Sequence, residues 1–147
     1  MTRILVDTSA LLALLDGDDP RQALVRSAFE DHADDELVTH GYVVAESLAV
    51  VRRRLGIAAV TTLLDDVLPA IELLPVDVEL HLSAQRRYRA SLPTGVSFVD
   101  HVSLALMDRE GIRTALVLDA DFDRRDIEII PATPLGGRAA PPCGVLE

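Results

Sequence analysis

The sequence predicts an α/β fold built on a parallel sheet with helices on both faces. Three observations carry that prediction. Short apolar runs alternate along the chain with longer stretches whose apolar residues recur at helical spacing. Two of the short runs, Ile4-Leu5-Val6 and Ala115-Leu116-Val117-Leu118, are apolar at every position, as a strand covered on both faces requires. Both runs end on a carboxylate, Asp7 and Asp119, at the strand end where open α/β sheets hold their sites.

The elements follow in order. Arg3 to Val6 is the first strand, and Thr8 or Ser9 is placed to cap a short helix from Ala10 to Leu15. The acidic turn Asp16-Gly17-Asp18-Asp19-Pro20 ends that helix. A second helix spans Arg21 to Ala33, with Ala23, Leu24, Val25 and Ala28 expected inward. Leu37-Val38-Thr39 is the second strand, and a third helix runs from Tyr42 to Leu55, stopped at Gly56. Val60, Leu63, Leu64 and Val67 predict one helix over Ile57 to Val67, closed by Pro69. Ile71 to Leu74 is a third strand, Val78 to Arg89 a fifth helix, and Ser91 to Val96 a loop. Ser97 to Glu110 is a sixth helix closed by Gly111, followed by strands at Thr114–Leu118 and Ile127–Ile130. Residues 1–131 are expected to form one domain, and 132–147 a Pro/Gly-rich tail, extended or without fixed structure.

Composition narrows the function. The 147 residues carry 24 acids against 14 basic residues, a formal charge of −10, which argues against a simple basic nucleic-acid binder. A nuclease remains open, because a cation held among acids reverses the local sign. All basic residues are arginine, so any mechanism that needs a lysine is excluded. The single Cys143 offers neither an intramolecular disulfide nor a cysteine-rich zinc site. With no targeting segment or long apolar run, the chain is expected to be soluble and cytoplasmic.

Four carboxylates stand in apolar settings. Asp7 and Asp119 end buried strands, although Asp is also favoured at caps and strand ends for its own sake. Glu46 has Tyr42, Val43, Ala49 and Val50 as helical neighbours, so it lies in the apolar stripe or on its wetted edge. Asp100 in Ser97-Phe98-Val99-Asp100 completes a near-capping box, yet shares a face with Leu104 and Met107. Two unit charges ~5 Å apart repel by ~3 kcal/mol at an effective dielectric of about 20. Four acids drawn together therefore need raised pKa values or a divalent cation. Their all-oxygen donor set suits Mg²⁺ or Mn²⁺ better than Zn²⁺. Asp121 is a further candidate, as an outer ligand or as the holder of a metal-bound water.

These residues resemble the acidic set of a PIN domain: Asp7-Thr8-Ser9 after the first strand, Glu46 in Val44-Ala45-Glu46, Asp100 in Ser97-Phe98-Val99-Asp100, and Asp119 in Leu118-Asp119-Ala120-Asp121-Phe122. The likeness covers about Arg3 to Pro131, and a lone small PIN domain resembles the VapC-type toxins of toxin–antitoxin pairs. The resemblance implies a three-layer α/β/α fold around a five-stranded parallel sheet. It implies Mg²⁺- or Mn²⁺-dependent endonucleolytic cleavage of RNA of the tRNA or rRNA class, leaving 5′-phosphate and 3′-hydroxyl ends. Asp7, Glu46, Asp100 and Asp119 are then the catalytic metal ligands, with Thr8 and Ser97 as polar supports behind them. The implied partners are a VapB-type antitoxin, a second copy of the chain, and the RNA. Phosphate contacts are sought among Arg52, Arg53, Arg54, Arg86, Arg87, Arg89, Arg124 and Arg125, of which Arg124 and Arg125 lie nearest the acids in sequence.

Three alternatives stand beside this reading. One is a PIN nuclease outside a toxin–antitoxin pair. Another is a haloacid-dehalogenase-like phosphatase, disfavoured because Asp7 is followed two residues on by Ser9 and no lysine is present. The third is a PIN-like binding module without activity.

Overall fold

The computed structural model describes residues 2–118 and 126–131. Its strands are β1 (Arg3–Val6), β2 (Glu36–His40), β3 (Glu72–Leu74), β4 (Thr114–Leu116) and β5 (Glu128–Ile130). Its α-helices are α1 (Thr8–Leu15), α2 (Gln22–Asp31), α3 (Gly41–Leu55), α4 (Ile57–Thr62), α5 (Val78–Ala90) and α6 (Phe98–Glu110). The five strands form one sheet in the order β3-β2-β1-β4-β5, with every neighbouring pair parallel. This is the predicted α/β architecture.

The order reverses at β1. The chain steps outward through β2 and β3, then returns by way of α5 and α6 to place β4 on the other side of β1. Ligands of open α/β sheets bind at the carboxyl ends of strands where such a reversal opens a crevice. Asp7 follows the last residue of β1 there, and its N–H bonds to Leu116 O of β4 at 3.1 Å.

Strand alternation splits the core into two. Ile4 and Val6 point to one face and pack with Ala10, Leu11, Val25, Val43 and Val51 of α1–α3. Leu5 points to the other face and packs with Leu80, Ala84, Val102 and Leu106 of α5 and α6. A strand wanted on both faces must be apolar throughout, which is why Ile4-Leu5-Val6 carries no polar residue.

Several element boundaries differ from expectation. Helix α1 begins at Thr8, so its cap is Asp7 and neither of the hydroxyl residues. In α2 only Val25 and Ala28 are buried; Ala23 is exposed and Leu24 is 42% exposed, because the contact stripe is narrower than its apolar content. The helix expected over 57–67 widens after Thr62 into a π-helical stretch, Leu63–Val67, closed by the Leu68 N–H on Leu63 O. The following Pro69 lacks an amide with which to extend the helix, and the wider turn leaves Leu64 47% exposed while Leu63 is buried. The predicted loop 91–96 contains a single 3₁₀ turn, Leu92–Thr94. Gly56 and Gly111 close α3 and α6 at φ of 90° and 68°, a backbone region that side chains rarely adopt. The predicted tail, 132–147, lies outside the described residues.

Candidate active site

The candidate site grows from the turn between β1 and α1. Asp7 is buried, and its Oδ2 accepts the Ser9 amide at 3.2 Å and the Ser9 hydroxyl at 2.8 Å. The same Ser9 Oγ accepts the N–H of Leu118 at 3.0 Å. One hydroxyl therefore orients the Asp7 carboxylate and ties down the end of the run that leads into Asp119. Burial lifts the Asp7 carboxyl from 3.8 to about 6, and the nearby charge of Asp100 pushes the same way; the Ser9 and Thr8 hydrogen bonds pull against them.

Glu46 comes from α3. His40 caps that helix, its Nδ1 accepting the amides of Tyr42 at 3.2 Å and Val43 at 3.4 Å. Its Nε2–H then donates to Ser103 Oγ at 2.8 Å, joining α3 to α6 beneath the sheet edge. Burial pushes the His40 imidazole down to about 4, so the ring stays neutral and keeps Nδ1 as an acceptor. Beside Glu46, Ser47 donates its hydroxyl to Thr8 Oγ1 at 3.3 Å, which holds α3 against the start of α1.

Asp100 comes from the first turn of α6. Ser97 Oγ accepts the Asp100 N–H at 3.1 Å, and Asp100 Oδ2 accepts the Ser97 N–H at 3.4 Å, a complete capping box. Phe98 anchors this turn among the rings of Tyr42, His81 and Tyr88, at centroid distances of 6.0, 5.4 and 5.9 Å. Capping leaves Asp100 half-buried on the cleft.

The three acids share a cleft of about 400 Å³ with Thr8, Ser9, Ser97, Asp19, Arg21 and Arg54. Asp19 grips Arg21 in a two-point fork, Nε to Oδ1 and Nη2 to Oδ2, each 3.1 Å. The structure thus brings together Asp7, Glu46 and Asp100, with Thr8 and Ser97 beside them. Asp119, Asp121, Arg124 and Arg125 lie outside the described residues. Among the described residues no three His, Cys, Asp or Glu side chains form a metal-holding group. The donor chemistry nonetheless fits a hard divalent cation. The ligating atoms on offer are carboxylate oxygens, and the charge acting most directly on buried Asp7 is another acid.

The sequence marks Ser9 as a cap candidate but not as a partner of Asp7, and it does not mark Arg21 or Ser47 as site residues. Adjacency in Asp7-Thr8-Ser9 was the available signal for Ser9. Arg21 and Ser47 become visible only once α1, α2 and α3 are set side by side. No helix among the described residues is long and apolar enough to cross a membrane.

Comparison with known proteins agrees with this fold. The sequence model of the PIN domain family matches residues 4–128. Ribonuclease VapC26 of Mycobacterium tuberculosis is 33% identical over 135 residues, covering 91% of this chain and 95% of the relative. The crystal structure of Mycobacterium tuberculosis VapC20, a Sarcin-Ricin loop cleaving toxin, superposes with a TM-score of 0.71 at 28% identity, over 81% of this chain and 92% of that one. VapBC2 from Rickettsia felis, solved bound to a DNA fragment from its promoter, shares the fold at a TM-score of 0.63 and 13% identity, over 87% and 97% of the two chains. These matches displace the haloacid-dehalogenase alternative: the chain belongs to the PIN domain family, on its VapC-type branch.

Proposed function

We propose that the chain is a divalent-metal-dependent endoribonuclease and the toxin of a VapBC-type pair. The observation that carries this reading is the convergence of Asp7, Glu46 and Asp100 on one cleft at the reversal point of a PIN-domain sheet. Asp7, Glu46, Asp100 and Asp119 would hold Mg²⁺ or Mn²⁺, with Asp121 in an outer position. When bound, such an ion supplies an activated water and neutralises charge on the attacked phosphate.

The chain's own residues prepare that chemistry. Ser9 holds Asp7 Oδ2 through two hydrogen bonds and so fixes the carboxylate that lines the cleft. The Thr8–Ser47 contact keeps Glu46 on the cleft wall, and Ser97 fixes the turn that carries Asp100. The proposed substrate is RNA of the tRNA or rRNA class; the rRNA option draws support from the VapC20 relative, whose named target is the Sarcin-Ricin loop. The proposed partner is a VapB-type antitoxin, in keeping with the VapBC2 complex. We place the protein in the cytoplasm as a homodimer that enters a larger assembly with the antitoxin. Residues 1–131 would be the nuclease domain and 132–147 an appended tail.

The test is cleavage of total cellular RNA by the purified chain with Mg²⁺, with Mn²⁺ or with chelator, beside Asp7→Asn. Metal-dependent cuts with 5′-phosphate and 3′-hydroxyl ends, absent in Asp7→Asn, are the expected result. Cleavage that survives the chelator or the substitution refutes the proposal. Relief of growth arrest by the product of a neighbouring small reading frame tests the antitoxin.

A further inference from the structure

We propose that Arg54 is a positioning residue that takes an RNA phosphate about two to four nucleotides from the scissile one, so that the substrate strand runs along the α1–α3 side of the cleft. The inference rests on the ribonuclease reading and adds a direction and a footprint to it.

The argument starts from helix geometry. Glu46, Val50 and Arg54 recur every four residues on α3, each about 40° round the helix from the one before, so that each neighbours the next. All three line the same cleft, with Leu12 of α1 across from them. Along the α3 wall of the cleft, Glu46 therefore lies toward one end and Arg54 toward the other. Eight residues at ~1.5 Å rise separate Glu46 from Arg54 by about 12 Å along the axis. A stacked strand advances ~3.4 Å per nucleotide, which with the reach of the arginine side chain gives the stated footprint.

Charge supports the choice of residue. The chain carries a formal −10, so its overall field repels a polyanion and a local cation must offset that at the cleft. Arg21 also lines the cleft, but the Asp19 fork already answers its charge. Arg54 forms no ion pair among the described residues. The other candidates fit less well. Arg52 and Arg53, on the same helix, do not line the cleft. Arg87 is paired with Asp108 at 2.8 Å on the opposite side of the sheet. A cation in the last turn of α3 also suits the helix dipole. That benefit belongs equally to Arg52 and Arg53, so it does not account for Arg54 alone of the three lining the cleft.

The test measures binding of a fluorescein-labelled single-stranded RNA of mixed sequence to the full chain in chelator, by anisotropy across a salt series. Expected for Arg54→Ala is a Kd raised about fivefold or more at low salt, with a log Kd against log salt slope reduced by about 0.7. Arg54→Lys recovers most of the loss, and Arg52→Ala and Arg86→Ala stay within about twofold of wild type. In cleavage assays, Arg54→Ala raises KM and leaves kcat within about twofold. Trimming the RNA to one nucleotide beyond the cut on one side makes wild type and Arg54→Ala equal.

Equal binding by Arg54→Ala and wild type overturns the inference alone, provided that wild type binds and cuts RNA. A wild-type chain that neither binds nor cuts RNA overturns both this inference and the ribonuclease reading. Thermal melting of Arg54→Ala near wild type shows that the effect is not loss of fold.

Discussion

Replacing Asp7 with Asn is expected to make the metal-free protein more stable while abolishing cleavage. The cause lies in the burial of Asp7, which lifts its carboxyl from 3.8 to about 6. An acid with a raised folded-state pKa holds its proton in the native chain after the unfolded chain has released it. Stability is therefore unaffected by this group below pH 3.8 and falls as pH rises from 3.8 to about 6. At ~1.36 kcal/mol per pH unit, the ionised carboxylate costs the fold about 3 kcal/mol at neutral pH. Asparagine removes that cost. Its Oδ1 still accepts the Ser9 amide and hydroxyl, and the charge that Asp100 opposes is gone. The expected gain is about 1–3 kcal/mol after imperfect reorientation of the new amide, or a Tm raised by roughly 3–9 °C for a chain of this size.

The assay is thermal and urea unfolding of wild type and Asp7→Asn in chelator, from pH 4 to 7.5. The two proteins should match near pH 4 and diverge as pH rises. Added Mn²⁺ should stabilise wild type and leave Asp7→Asn almost unchanged, since binding to the native state alone raises stability by mass action. If Asp7→Asn is no more stable than wild type at neutral pH in chelator, the buried-carboxylate argument is wrong.

Further outcomes follow from the same contacts. Ser9→Ala removes the hydroxyl shared by Asp7 and the Leu118 amide; it should cost about 1–3 kcal/mol in urea unfolding and move the acidic limb of cleavage to higher pH, because that hydroxyl holds the Asp7 pKa down. Buried His40, lowered from 6.5 to about 4, contributes stability that is full above pH 6.5 and lost as pH falls toward 4, about 3 kcal/mol in all. Asp7 acts in the opposite direction between pH 4 and 6, so Asp7→Asn should show a steep rise in urea midpoint up to pH 6.5 where wild type is nearly flat; a flat profile in Asp7→Asn contradicts this. Ser97→Ala breaks the capping box of α6 and should lower stability by about 1 kcal/mol in thermal melts, with cleavage falling further than stability because Asp100 loses its fixed turn.

Local pattern alone determined the larger part of this protein. Strand identity was legible because a strand covered on both faces must be apolar throughout, as Ile4 to Val6 is. Helix ends were legible where chemistry marks them, at Ser97 and at Gly56 and Gly111. Asp7, Glu46 and Asp100 were legible as oddities because a carboxylate in an apolar stripe demands a reason. Where patterning misled, as at Leu24 and Leu64, an apolar residue met no partner and stayed exposed. Only the tertiary structure decided which acids meet. That depends on the strand order β3-β2-β1-β4-β5, which no single stretch of sequence encodes. The same packing gave Ser9 its second bond to Leu118, set Ser47 against Thr8, and brought Arg54 onto the cleft that the acids line. It also set the Asp7 pKa, since desolvation is the work of every neighbour that excludes water and has no counterpart in the residue or its flanks.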